Sequence, residues 1–286
     1  MLSIALVAEG IANVRPPLSE VASALQIQLM RDAGPLWGTT GTCTPFATRA
    51  EVPSSLALLL VVTNSQGRGG FHTAPAAVGL QPSAQVDYTA DGSWTISASH
   101  EAIEMLVDPS GRRFHSGPHP TDPAAKVQYL IEACDPCQHP SFAYQVDDQH
   151  GLLVSDFCLP AFYGLGPMGS PFTFRKSVTA PLRVAHGGYL SWLDRDGHWY
   201  QMSAMAGATT IGPIDPSDVL KQPEDGNLRG ALDRLHGLHG LAGTSARTRS
   251  AAQKKYAVMR TQEERARRAR DAAFEASFPQ FAAPKA

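Results

Sequence analysis

Residues 97–109, SASHEAIEMLVDP, put one imidazole and two carboxylates within five positions of a segment whose other members are mostly apolar. Placed on a helix, His100 and Glu104 stand about one turn apart on the same face, while Glu101 projects about 100° away and reaches the same site from the side. This is the geometry of the HExxH zinc motif with the second histidine replaced by glutamate. In that motif residues i and i+4 bind the ion, and the glutamate after the first histidine takes a proton from the water that the ion activates. Carboxylate oxygen is an acceptable zinc ligand, so HExxE is chemically sound. As a string it is weakly specific, because solvated helices rich in charge contain it by chance. Its flanks decide the matter: Ala98, Ala102, Ile103, Met105, Leu106 and Val107 mark a helix bound for a core, where a carboxylate without a partner is costly. A metal ion removes that cost.

The elements that must position these residues are legible in outline. Leu18, Val21, Leu25 and Leu29 recur at helical spacing after PPLSE and before DAGP, which predicts an amphipathic helix over 18–32. TCTPFATRA and SSLALLLVVTN read as strands, the second apolar enough to be central in a sheet, and SQGRGG follows as a flexible link. QVDYTA reads as a third strand before the turn DGS, and WTISAS leads into the helix that carries His100. Downstream, a Pro/Gly/His-rich loop over 109–123 precedes AKVQYLIEACDPC and several short aromatic strands, FAYQVDD, GLLVSDFCLP and GGYLSWLDRDGHWYQMSA. The expected class is α+β: a mixed sheet packed on an N-terminal helix and the HExxE helix, with a β-rich elaboration. Residues 1–160 form the metal-binding core, 161–215 the elaboration of the same domain, and 216–286 a helical, basic C-terminal extension.

Charge separates that extension from the rest. From Thr244 onward there are ten Lys/Arg against four Asp/Glu, a net +6, which leaves −8 for residues 1–243 of a chain whose total is −2. A tail rich in Ala, Arg, Gln and Glu with few apolar anchors reads as a solvated or partner-bound helix that docks the domain onto a protein assembly. A basic helix also attracts phosphate, but the interspersed Glu263, Glu264 and Asp271 weaken the case for nucleic acid. The first residues, MLSIALVAEGIANVRPP, lack a basic leader pattern, and no apolar run approaches the roughly 20 residues of a membrane helix. The expectation is a protein without signal peptide or membrane contact, in the cytoplasm or in a virion. Four cysteines, at 43, 134, 137 and 158, are too few and too unevenly spaced for a disulfide scaffold.

Four segments together, SWTISASHEAIEMLVDPSG, ALQIQLMRDAGPLWG, IEACDPC and VSDFCLPAFYG, resemble a group of bacterial and phage-associated proteins that share an S-H-E-x-x-E-x-x-x-D-P core. The resemblance runs in order over roughly 18–200, and the same core is similar to that of zincin-type peptidases in which S-H-E-x-x-E is followed by an acidic, Cys-containing segment. What it implies is a zincin-like domain. Such a site needs a third protein ligand, for which Asp108, Glu132, Asp135, His115 and His119 are the candidates. Asp108 lies eight residues after His100, roughly 12 Å along a continuous helix, and next to Pro109 it reads better as the residue that ends the helix by bonding to the following turn. Glutamate zincins complete their site with a glutamate from a separate downstream element, and the resemblance therefore favours Glu132. Asp135 is the runner-up, with a supporting role beside the ligands.

The reading is thus a metal-dependent peptidase, one zinc ion on His100, Glu104 and Glu132 with Glu101 as general base, acting on a peptide or protein substrate aligned along an edge strand near 56–63. Manganese and iron are the alternatives to zinc, since two carboxylates make the ligand set hard. The competing class is a non-catalytic virion or assembly protein that keeps the fold and docks through its tail. Cys134 and Cys137 have C-x-x-C spacing, and a structural metal site with Cys158 and His139 competes there with buried thiols or a local disulfide. His72, in GGFH, reads as a solvated loop histidine rather than a residue lining the cleft. HGGY at 186–189 and DRDG at 194–197 read as turns between strands. There is no Gly-rich phosphate loop, dinucleotide fingerprint or Ser/His nucleophile elbow.

Overall fold

The computed structural model describes residues 1–65, 69–73, 81–146, 151–167, 169–205 and 208–214. The expected helical tail over 216–286 lies outside the described residues. Within them the chain is α+β, as the pattern of elements predicts. No helix among the described residues is long and apolar enough to cross a membrane.

The first sheet is built from β1 (Leu2–Ala8), β2 (Gly41–Phe46), β3 (Ala57–Val62), β4 (Gly70–Thr73) and β5 (Ser83–Asp87), in the order β2-β1-β3-β5-β4. The pairs β1·β2, β1·β3 and β3·β5 are parallel, and β4 alone runs antiparallel, against β5. Parallel strands need long crossovers. The first is supplied by α1 (Leu18–Ile27), a π-helical turn over Gln28–Ala33 and the short α2 (Gly34–Trp37). Strand β1 is central and was not anticipated from the sequence, because its run LSIALVA is apolar without alternation. That is how a strand buried on both faces reads. The same property correctly marks β3 as central.

Helix α3 (Trp94–Val107) packs on β3, β4 and β5 and touches α1. It starts at Trp94, so the WTIS stretch expected to lead into the helix is its first turn. Trp94 N donates to Thr89 Oγ1 and Trp94 Nε1 to the Arg15 carbonyl, which ties this end to two loops. Thr95 Oγ1 donates to Leu153 O, and Ser155 N donates to Ser99 Oγ, so α3 is stitched along its first half to the segment around β9 (Leu153–Val154). Only Ser97 and His100 escape full burial along its length. A helix enclosed on nearly all sides is held by packing rather than by propensity. The π-helical turn serves a related purpose: it aims Gln28 at Ser155 O and Tyr144 Oη, and Asp32 accepts from Tyr144 Oη.

A second sheet, β12-β11-β10-β7-β6, is antiparallel throughout. It comprises β6 (Phe114–Pro118), β7 (Lys126–Leu130), β10 (Tyr189–Leu193), β11 (Trp199–Met205) and β12 (Ala208–Ile214), while β8 (Tyr144–Gln145) pairs with β9. It therefore joins strands from before residue 131 with strands after 188, and one continuous apolar core runs through both sheets. The Asp135–Cys137 turn is pressed against the approach to β10 at Gly188, where a Cβ would overlap the Pro136 carbonyl and come within 2.8 Å of Asp135 O.

Because those obstacles are backbone, Gly188→Ala should destabilise the protein by about 1–3 kcal/mol, lowering the melting temperature by several degrees. Gly212→Ala, with nothing within 4 Å of its new methyl, should leave it within about 0.5 kcal/mol of wild type. Equal melting temperatures for the two variants would show that the Asp135–Cys137 turn yields freely.

Candidate metal centre

Three elements bring six ionisable side chains together. Helix α3 contributes His100, Glu101 and Glu104; β4 contributes His72; the segment after β7 contributes Glu132 and Asp135. All but His100 are 0–4 % exposed, and the His100 side chain is 13 % exposed. The site thus reaches solvent on its His100 side.

Glu104 lies at the middle. Its Oε1 is 3.4 Å from His100 Nε2 and accepts from the Cys134 backbone N–H at 3.1 Å, while its Oε2 is 3.5 Å from His72 Nδ1. Two groups with ligand atoms within 4.8 Å of one another share it: His72, Glu104 and Glu132, and His100, Glu101 and Glu104. The sequence-expected ligands His100, Glu104 and Glu132 are therefore distributed over two groups that meet at Glu104. Glu101 Oε2 is 3.0 Å from His72 Nδ1, and Gly70 makes that approach feasible, since a Cβ there would stand 2.8 Å from Glu101 Oε1. Asp135 Oδ1 is 3.2 Å from His100 Nε2, the same nitrogen that faces Glu104 Oε1, so it lies on the ligand side of the ring.

The position of Glu132 follows from its anchors. Its carbonyl accepts from Tyr163 Oη at 2.6 Å, and Ala133 O accepts from Cys158 N, so the chain leaving β7 is held on both sides as it passes Glu104. Asp108 is placed elsewhere, as the helix geometry requires. Its carboxylate accepts from Ser110 N, Ser110 Oγ and Arg113 N, closing the turn between α3 and β6. His115 lies in β6, and His119 packs edge-on against Trp192; neither belongs to the groups around Glu104.

Two expectations need correction. His72 is not a solvated loop residue: it sits in β4, fully buried, at the centre of the site. Its strand has four residues and follows a Gly-rich run, too short for an alternation to be visible, and only its antiparallel pairing with β5 aims His72 at α3. The strand near 56–63 is not an edge. It is β3, between β1 and β5, and among the described strands the outermost one beside α3 is β4.

All four cysteines are free and buried. Burial pushes the Cys134 thiol well up, and Glu104 and Asp135 push it further; Cys137 and Cys158 are raised chiefly by burial as well. Among the described residues, none of the groups whose ligand atoms lie within 4.8 Å of one another includes a cysteine. A third cluster, Asp194, Asp196 and His198, is explained by its turn: the Asp194 carboxylate accepts the N–H groups of Asp196 and His198 in the β10–β11 hairpin.

Burial alone would lower the His100 pKa, but the charge of Glu104, hydrogen bonds to Asp135 and Glu104, and the charge of Glu101 together hold it well above the usual histidine value. No family model matches the chain, and no curated protein or solved structure matches it either.

A raised folded-state pKa means that protonated His100 stabilises the metal-free fold fully below about 6.5 and that this contribution is lost as pH rises through the raised value. A cation on His100 must displace that proton. Titration of Mn(II) or Zn(II) into metal-free protein near pH 7, in buffers of differing ionisation enthalpy, should report release of about one proton or more, with affinity rising with pH. Heats independent of the buffer would contradict this reading of His100.

Proposed function

We propose that this protein is a metal-dependent peptidase built on a zincin-like domain, with His100, Glu104 and Glu132 holding a divalent ion, zinc first, and Glu101 serving as the general base. The observation that carries the reading is the position of Glu101. It adjoins His100 and Glu104 in sequence and space and is held at 3.0 Å by His72, whereas a purely structural ion site has no use for an extra carboxylate at that place. The donor set fits the group, since imidazole and carboxylate are both zinc ligands. When bound, the ion would polarise the scissile carbonyl and lower the pKa of water.

The chain's own residues do the rest. Glu101 accepts a proton from water as the water oxygen bonds to the carbonyl carbon, then returns that proton to the amine nitrogen as the C–N bond breaks. His72 fixes which oxygen of Glu101 faces the site. Asp135 faces the same His100 nitrogen, Nε2, as Glu104 does, and so adds a carboxylate beside the ligand set. As the outermost described strand beside α3, β4 takes the place of the expected 56–63 edge and aligns an extended peptide by main-chain hydrogen bonds. The antiparallel edge strand and the buried helix that carries H-E-x-x-E beneath the sheet support a zincin-like fold.

The depth of the site favours a second reading. With Glu101 only 4 % exposed, an ion here would also serve as a staple joining α3 to the 132–135 segment in a non-catalytic assembly protein. Glu101→Gln separates the two, because it keeps shape and hydrogen bonding while removing the proton acceptor. Metal content and melting temperature should stay near wild type, and hydrolysis of an unfolded protein substrate should fall by about 10²–10⁴. Activity that survives the substitution would remove Glu101 from the mechanism, and a metal-loaded wild type without activity would leave the assembly reading.

A further inference from the structure

We propose that the site is dinuclear: a second divalent cation binds on His72, Glu104 and Glu132, beside the ion on His100, Glu104 and Glu132, with Glu104 and Glu132 shared by the pair. The inference rests on the metal reading above and adds an ion, and a role for His72, that the H-E-x-x-E motif does not contain.

The geometry of Glu104 comes first. Its two oxygens face two different imidazoles, Oε1 toward His100 at 3.4 Å and Oε2 toward His72 at 3.5 Å. A carboxylate that serves a single ion has no need of an imidazole on each oxygen. One that spans two ions does, and bridged pairs sit roughly 3.5–4 Å apart, a separation that a single carboxylate can bridge. His72, Glu104 and Glu132 are already close enough together to share a cation, and all three are fully buried.

Charge supplies the second argument. Glu101, Glu104, Glu132 and Asp135 with two neutral imidazoles carry a formal −4 among these six groups. One divalent ion leaves −2, and two leave zero. Uncompensated charge in a buried site is strongly disfavoured, so the second cation completes what the first begins. His72 Nδ1 lies between Glu101 Oε2 at 3.0 Å and Glu104 Oε2 at 3.5 Å. His72 is fully buried whereas the His100 side chain is 13 % exposed, so the second ion would lie on the inner side of the site.

The test is Mn(II) loading of the full-length, chelator-stripped protein, read by elemental analysis and electron paramagnetic resonance. The expected result is about two ions per chain with the spectrum of a spin-coupled pair, and one ion with the hyperfine pattern of isolated Mn(II) in His72→Gln. The wild-type spectrum alone reports the coupling, should that variant fail to fold. Saturation at one uncoupled ion that His100→Gln removes and His72→Gln retains would overturn the second position while leaving the proposed function standing. Absence of any bound ion would overturn both.

Discussion

Four carboxyl groups buried within one small volume are the constraint on which the rest of this structure depends. Glu101, Glu104, Glu132 and Asp135 are each at most 4 % exposed, and the low dielectric that strengthens attraction to a cation equally strengthens their mutual repulsion. Imidazoles from β4 and α3 answer part of that demand, and the cysteine backbone N–H at 134 answers another part. A divalent ion is the partner that such a donor set is chemically suited to receive.

The architecture brings these groups together from three separate parts of the chain. Helix α3 is enclosed because Trp94, Thr95 and Ser99 are tied to loops and to the β9 segment, which leaves its second half between the sheet and the 131–135 chain. Two glycines set the distances: Gly70 lets β4 approach Glu101, and Gly188 lets the Asp135–Cys137 turn rest on the strand below it. The second sheet contributes no residue to the groups around Glu104. It holds the segment between β7 and β10 on which Glu132 and Asp135 ride.

How much of this was legible depended on the range of the signal. The H-E-x-x-E helix stood out because its charged residues interrupt an apolar run, and the same run explains why α3 is buried. Glu132 could be chosen only through the resemblance, yet the structure places it beside Glu104. Asp108 was assigned to the helix end by simple distance along the axis, and its three hydrogen bonds are those of a turn. What could not be read were features defined by pairing. Strand β1 is too uniformly apolar to show alternation, β4 is four residues long, and the role of His72 exists only because β4 runs antiparallel to β5. The error over residues 56–63 has the same origin: the apolar character of β3 marks a central strand, and an edge must be found from the sheet order.

X-ray absorption at the metal edge of the zinc-loaded, full-length protein tests the central claim most directly. The account predicts a first shell of nitrogen and oxygen at about 2.0–2.2 Å with the outer scattering of imidazole. A sulfur shell at about 2.3 Å would place the ion on the thiols of Cys134, Cys137 and Cys158 and contradict it.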